Sequence, residues 1–361
     1  MTTFLFAWEL GGGLGHVLPF RPVAQALIAK GHRVVAALRK LTHVEGAFGD
    51  LPVETRAAPY KNWPSGDRGD PLLTFAHILH NTGWSRAVRG RGIRHCTFGT
   101  GFFCPPDQAP LPNLVPWLQA DPDKLARDEA HVLNVANEVL SAHGQPPLAR
   151  LSQLYADAGD RILTTFAELD HYGPRPNEQY VGWWPAGAGQ RFEWPRGNGP
   201  KVYAYFKDFS AIAETAKYLQ QEGWPTVIFA PGLLEKLRPF VSPSLVVTGT
   251  PLDLGQVARE ADLILQNANH GTLTEFLLAG RPVVSVPITL EQAILARRVA
   301  EIGAGPSAAN NRPDEIIGAL QTLLRDGRSM QAAKRFAHKY AAFDSKQALA
   351  TVVERLERLV K

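Results

Sequence analysis

The order of apolar runs, turns and amphipathic stretches constrains this chain most. Residues 4–8 form a short apolar run, as a buried strand does. A Gly-rich turn follows, Gly11-Gly12-Gly13-Leu14-Gly15-His16. Residues 17–30 then carry helical periodicity, with Leu18, Ala24, Leu27 and Ile28 on one side and Gly31 as the stop. Residues 33–38 are a second apolar run. Strand, turn, helix and strand make a βαβ unit, which requires a parallel sheet. The pattern restarts with a strand at 202–206, a helix at 210–222 and a stop at Gly223. Further strands are expected at 226–230, 245–247, 263–266 and 282–286, with a helix at 271–278. Helices dominate from there on, including 352–360.

The chain has 361 residues, enough for about two domains. Hydrophobic residues are 45% and charged residues 20%, so a normal core can form and wholesale disorder is excluded. The best boundary is the Gly/Pro-rich stretch from Trp183-Trp184-Pro185 to Gly199-Pro200. The expected class is α/β, two Rossmann-like doubly wound domains facing across a cleft. Residues 1–185 would form the first domain, 186–200 the linker and 201–344 the second domain. A net charge of +4 gives little reason to expect nucleic acid. Two cysteines, Cys96 and Cys104, make no disulfide framework, so a reduced, cytoplasmic protein is expected. The first residues lack a basic leader, and no apolar stretch is long enough for a membrane span. Nothing in the sequence reads out an oligomeric state.

The first Gly-rich loop sits where a doubly wound domain binds phosphate, which makes Gly13 a candidate donor-binding position. A dinucleotide fingerprint would have a third Gly at position 16, and an acid after the second strand. This chain has His16, and Leu38-Arg39-Lys40. A nicotinamide dehydrogenase is therefore disfavoured. A His at a helix start, with a near-neutral pKa, can accept a proton. The residues alone leave a capping or core histidine equally open.

The densest signal lies between Thr250 and Gln292. It runs Gln266-Asn267-Ala268-Asn269-His270-Gly271-Thr272-Leu273-Thr274-Glu275, then Ala279-Gly280-Arg281-Pro282, and ends Pro287-Ile288-Thr289-Leu290-Glu291-Gln292. A strand delivers a polar turn to a helix N-terminus, where free N–H groups and the Thr272 hydroxyl suit a diphosphate. Glu275 lies one turn into that helix, within reach of a ribose. Glu291 and Gln292 open the next helix, with acceptors and donors for sugar hydroxyls.

At these residues the chain resembles the GT-B glycosyltransferases that use UDP- or TDP-sugars, the plant, macrolide and antibiotic glycosyltransferases. Gly271, Thr272, Glu275, Ala279, Gly280, Pro282, Pro287, Glu291 and Gln292 match the donor motif at its spacing, and Gly15-His16-Val17-Leu18-Pro19 resembles the family's Gly-His-x-x-Pro. The resemblance covers nearly the whole chain. It implies that His16 deprotonates the acceptor hydroxyl and that residues 345–361 form a helix packing back on the first domain. It also places Lys207 and Ser210 at the phosphates. The sequence departs from the pattern in two places. Asn267, Ala268 and Asn269 replace a phosphate-binding His and two Gly, with His270 in a position to compensate in part. Between residues 75 and 98, a strand ending in the Asp that orients the catalytic His, together with its helix, is expected to be missing.

The other clusters read as ordinary structure. Arg86, Arg89, Arg91 and Arg94 form a solvated loop. His77 and His80 share a helix face without further metal ligands, and Asp121-Pro122-Asp123 begins a helix, so no metal site is expected. Phe102 and Phe103, in a loop after a strand, are the candidate acceptor-binding residues, ahead of Phe98, Trp117 and Trp184. The expected function is inverting transfer of a sugar from a UDP- or TDP-sugar to a small-molecule alcohol or phenol, with no obligatory cofactor. The alternatives are an impaired nucleotide-binding homologue and, less favoured, a sugar-nucleotide epimerase.

Overall fold

The computed structural model describes residues 1–8, 14–58, 76, 94–185, 187 and 189–360. Gly11 to Gly13, the pair His77 and His80, and Arg86 to Arg91 lie outside the described residues. So does most of the stretch in which a strand–helix unit is expected to be missing. The chain divides into two compact units, Met1–Ala186 with Ser345–Lys361, and Gly187–Asp344.

In the first unit β1 (Thr3–Trp8), β2 (Arg33–Leu38) and β3 (Val53–Ala57) form a parallel sheet in that order. Helix α1 (Phe20–Ala29) crosses between β1 and β2, burying Phe20, Val23, Ala24 and Leu27. That spacing makes one helical stripe. Gly31, at φ +81°, takes the left-handed turn that ends it. The helix starts later than the periodicity predicts. Pro19 has no N–H, and Phe20 and Arg21 make short turn bonds to the carbonyls of Val17 and Leu18, so the α-helical ladder begins only at Phe20.

A second parallel pair, β4 (Cys96–Gly99) and β5 (Asp160–Leu163), belongs to the same unit. Helix α2 (Pro122–Ala142) lies between them in sequence and starts at Asp121, whose carboxylate accepts from the Asp123 N–H. Among the described residues no strand joins β1 to β4; the rings of Phe6, Phe20 and Phe98 meet there.

The second unit has one five-stranded parallel sheet in the order β10-β9-β6-β7-β8. Its strands are β6 (Val202–Tyr205), β7 (Thr226–Phe229), β8 (Leu245–Thr248), β9 (Leu263–Gln266) and β10 (Val284–Ser285). They fall on the apolar runs of the sequence, and all but β8 are almost wholly buried. Helices α3 (Ile212–Glu222), α4 (Leu254–Glu260), α5 (His270–Leu278), α6 (Leu290–Glu301), α7 (Pro313–Arg325) and α8 (Gly327–Lys339) complete the unit. The first strand lies between the second and the fourth, which is doubly wound topology. Its switch point falls where β6 and β9 part, at their carboxyl ends.

The last helix, α9 (Ser345–Arg358), returns to the first unit and packs on α1. Glu357 accepts from Lys30 at 2.6 Å and sits 3.1 Å from His32, while Arg355 binds Asp160 at the start of β5. Among the described residues no helix is long and apolar enough to cross a membrane.

Candidate functional site

The switch point of the second unit gathers the polar residues that the sequence singles out. Lys207 follows β6 and Asn267 follows β9, and they meet directly. The Lys207 N–H donates to Asn267 Oδ1 at 2.7 Å, and Asn267 Nδ2 donates to the Val286 carbonyl at 2.8 Å. Asn267 is wholly buried. Its amide therefore ties together the chain ends leaving β6, β9 and β10. Asn267 stands where the donor motif has a phosphate-binding His, but here its side chain bonds to the backbone at both ends.

Asn269 is the N-cap residue of α5, but its side chain does not cap. Its Oδ1 accepts from Gln292 Nε2 at 3.0 Å, and its Nδ2 has no partner among the described residues. Gln292 Oε1 in turn accepts from the Ile288 N–H at 2.9 Å. Gln292 is buried and braces the two helix starts, α5 and α6, against each other. Both ends of its amide are thus engaged within the protein, where a sugar-binding role had been expected.

Ala268 takes a positive φ, +57°, the only residue other than glycine to do so among those described. It occupies a position that the donor motif fills with Gly. A left-handed residue with a Cβ costs roughly 1–2 kcal/mol. Glycine there would cost about 0.4–1 kcal/mol through the unfolded chain and about 0.8 kcal/mol for the lost buried methyl. These terms cancel. Ala268→Gly is therefore expected to change stability by less than about 1 kcal/mol in urea unfolding, whereas a valine, stiff at its β-carbon, will destabilise clearly. An equal effect of the two would refute the backbone argument.

The charges at the site are tuned by burial. Burial pushes the Glu291 carboxyl up to about 7, opposed by the Lys207 ammonium nearby. Burial also lowers the Lys207 pKa, opposed in turn by Glu291. His270, buried at the start of α5, is pushed down to about 4 and is neutral at pH 7. It brings no positive charge in compensation for Asn267, as the sequence had led us to expect. The cation at the switch point is Lys207. Gly271 and Thr272 lie half-buried in the first turn of α5, while Ser210 is exposed just before α3. Glu275 lines a cavity of about 600 Å³ together with Leu254, Ala258, Arg259, Arg281 and Lys334. Arg281, after the left-handed turn at Gly280, caps the carboxyl end of α4 through the carbonyls of Ala258 and Arg259.

In the first unit His16 closes a single 3-10 turn, Leu14–His16, ahead of α1. It therefore lies before α1, not at its start as the sequence suggests. Its imidazole is half-buried and stacks on the indole of Trp8, with Phe103 edge-on to it. Phe103 is half-buried at this point. Phe102 turns the other way: it is buried and packs edge-on against His171. Phe102 is thus a core residue, not an acceptor contact. Trp184 is also buried, its indole N–H donating to the Pro19 carbonyl at 3.2 Å.

Asp170 carries no signal of its role in the sequence. It is wholly buried and accepts from Arg175 at 3.0 Å, from the Tyr180 hydroxyl at 2.9 Å and from the Tyr172 N–H at 2.9 Å. A Cβ on Gly101 would lie 2.1 Å from Asp170 Oδ1, so only glycine fits there. Arg175, paired with Asp170, donates to the Gly101 carbonyl at 3.4 Å, so the pair seats the turn Gly101–Phe103 that carries Phe103 to His16.

Parallel α/β units of this kind, with a polar switch point at a helix N-terminus, define a Rossmann-like class of protein. The chain matches no protein-family model. It is 25% identical, over an alignment of 375 residues covering 96% of this chain and 97% of the relative, to a UDP-N-acetylglucosamine--N-acetylmuramyl-(pentapeptide) pyrophosphoryl-undecaprenol N-acetylglucosamine transferase of Phenylobacterium zucineum. Among solved structures it is similar to CalG4, the calicheamicin glycosyltransferase, with a TM-score of 0.68 and 17% identity over 99% of this chain and 98% of that one. It is also similar to the glycosyltransferase VinC in complex with dTDP, with a TM-score of 0.63 and 14% identity over 98% and 100%. The fold is therefore that of the GT-B glycosyltransferases, with two Rossmann-like domains, and the relatives and structural neighbours are glycosyltransferases.

Proposed function

We propose that this chain transfers a sugar from a UDP- or TDP-sugar to a hydroxyl of a small-molecule alcohol or phenol, with inversion, His16 acting as general base. The observation that carries the reading is the second unit's switch point, where Lys207, Asn269 and the first turn of α5 converge. An ammonium and the free N–H groups of a helix start are the groups that suit a diphosphate. The dTDP complex of VinC supports a nucleotide in this fold.

His16 takes the acceptor proton, and the freed oxygen forms a bond to the anomeric carbon. The bond from that carbon to the diphosphate oxygen breaks on the opposite face, and its electron pair leaves with the nucleotide. Lys207 and the α5 N-terminus stabilise the growing negative charge. Thr272 adds a hydroxyl to the phosphates, with Ser210 a more distant candidate. Glu291, near half-ionised at neutral pH, holds sugar hydroxyls as donor or acceptor. Glu275 takes the ribose hydroxyls.

Nucleotide binding is the first test. At 100 times its Kd, UDP or TDP should add about 2.7 kcal/mol to the unfolding free energy. Glu275→Ala should remove most of that gain, measured against the variant's own unliganded stability. A cooperative transition that neither nucleotide shifts would refute the donor site, and an unchanged affinity in Glu275→Ala would refute the ribose role. A donor sugar rearranged without any acceptor would replace transfer by epimerisation.

A further inference from the structure

The surroundings of His16 are built from aromatic rings. Trp8 is the last residue of β1, and its indole stacks on the imidazole with centroids 5.1 Å apart and planes 15° from parallel. Phe103 stands perpendicular to both, 4.7 Å and 86° from Trp8 and 5.5 Å and 89° from His16. These are the favoured offset-stacked and edge-to-face arrangements of aromatic pairs. Together they fix the imidazole plane. Turning the ring about its last torsion would give up the stacking on the indole and the edge-on contact with the phenyl.

We infer that Trp8 is a positioning residue for His16, holding the plane of the imidazole by stacking, with Phe103 as the second wall. The inference rests on His16 being the base of the proposed reaction. A general base works only when its nitrogen lies within hydrogen-bond reach of the proton it removes. A ring free to rotate spends most of its time elsewhere. The indole face has a second effect: it carries negative electrostatic potential, so it attracts the imidazolium that forms when the acceptor proton arrives. The second wall is itself braced. Phe103 ends the turn whose Gly101 carbonyl accepts from Arg175, itself paired with the buried Asp170, and Phe102 pins the same turn into the core. Leucine at position 8 would fill much of the apolar volume but cannot stack. Phenylalanine can.

The test compares Trp8→Leu and Trp8→Phe in the full chain. The His16 ring protons are followed by NMR, UDP and TDP binding by calorimetry, and turnover by steady-state kinetics with an acceptor found in the transfer assay. In the wild type the His16 ring protons should be displaced upfield by the indole ring current. Trp8→Leu should abolish that displacement and lower kcat by on the order of 10–100-fold, with donor KM and nucleotide Kd unchanged within about twofold. Trp8→Phe should keep the displacement and most of kcat. The inference is overturned if Trp8→Leu leaves the His16 resonances and kcat in place, or if the two variants lose kcat equally. The NMR arm needs no activity. Should His16→Ala transfer sugar at the wild-type rate, the base assignment falls, and the resonances alone still decide whether Trp8 holds the ring.

Discussion

Replacing His16 by alanine is expected to lower sugar transfer by on the order of 10²–10⁴-fold, the range for a general base, while leaving UDP and TDP affinity unchanged. The separation of the two effects follows from the fold. Every group assigned to the nucleotide and its sugar within the described residues, from Lys207 to Glu291, belongs to the second unit, and His16 belongs to the first. Truncating the imidazole also removes one member of the Trp8–His16–Phe103 ring set. Thermal unfolding should therefore be recorded alongside the kinetics. His16→Gln, which keeps polar bulk without a basic nitrogen, should be as inactive as His16→Ala. Transfer at the wild-type rate in either variant would sink the base assignment. A parallel loss of nucleotide affinity would mean that His16 belongs to the donor site instead.

Much of this was legible in the sequence, and what was not has physical reasons. The strands of the second unit lie on short apolar runs, because a parallel sheet covered on both faces needs no alternation. The run at 263–266 became β9 without adjustment, and 33–38 became β2. The start of α1 was misjudged because apolar periodicity runs on through Val17 and Leu18, which lie in turns before Pro19. The donor motif points to the loop after β9, but not to the bonds that two of its amides make. Motif spacing says which residues a turn presents, but not that Asn267 finds Val286 and Lys207, or that Gln292 finds Asn269. Those bonds join segments 19, 60 and 23 residues apart. The ring set around His16 is hidden for the same reason: positions 8, 16 and 103 share no periodicity. Phe102 and Phe103 looked alike as neighbours in one loop. They diverge because a 3-10 turn points successive side chains in different directions, one into the core and one toward His16.

The largest stability effect should come from Arg175. Its guanidinium lies 2.9 Å from the Asp170 carboxylate, with side-chain exposures of 9% and 0%, so the pair is nearly free of solvent screening. Tyr180 and the Tyr172 N–H also bind that carboxylate. Removing the cation leaves a buried charge with two neutral donors in place of a salt bridge. Breaking one half of such a pair costs about 3–5 kcal/mol. For a unit of this size that corresponds to a fall of roughly 6–20 °C in its Tm. Arg175→Met, which keeps the aliphatic bulk, should show this loss in the unfolding of the first unit. It should also lower transfer, because Arg175 donates to the Gly101 carbonyl and that turn places Phe103 against His16. The double variant Asp170→Asn with Arg175→Met should lose less than Arg175→Met alone, since the uncompensated carboxylate, more than the missing attraction, carries the cost. A loss below about 1 kcal/mol in Arg175→Met would place the pair among screened surface bridges. A double variant worse than the single would mean that the Asp170 charge itself, held by Tyr180 and the Tyr172 N–H, stabilises the turn without its arginine.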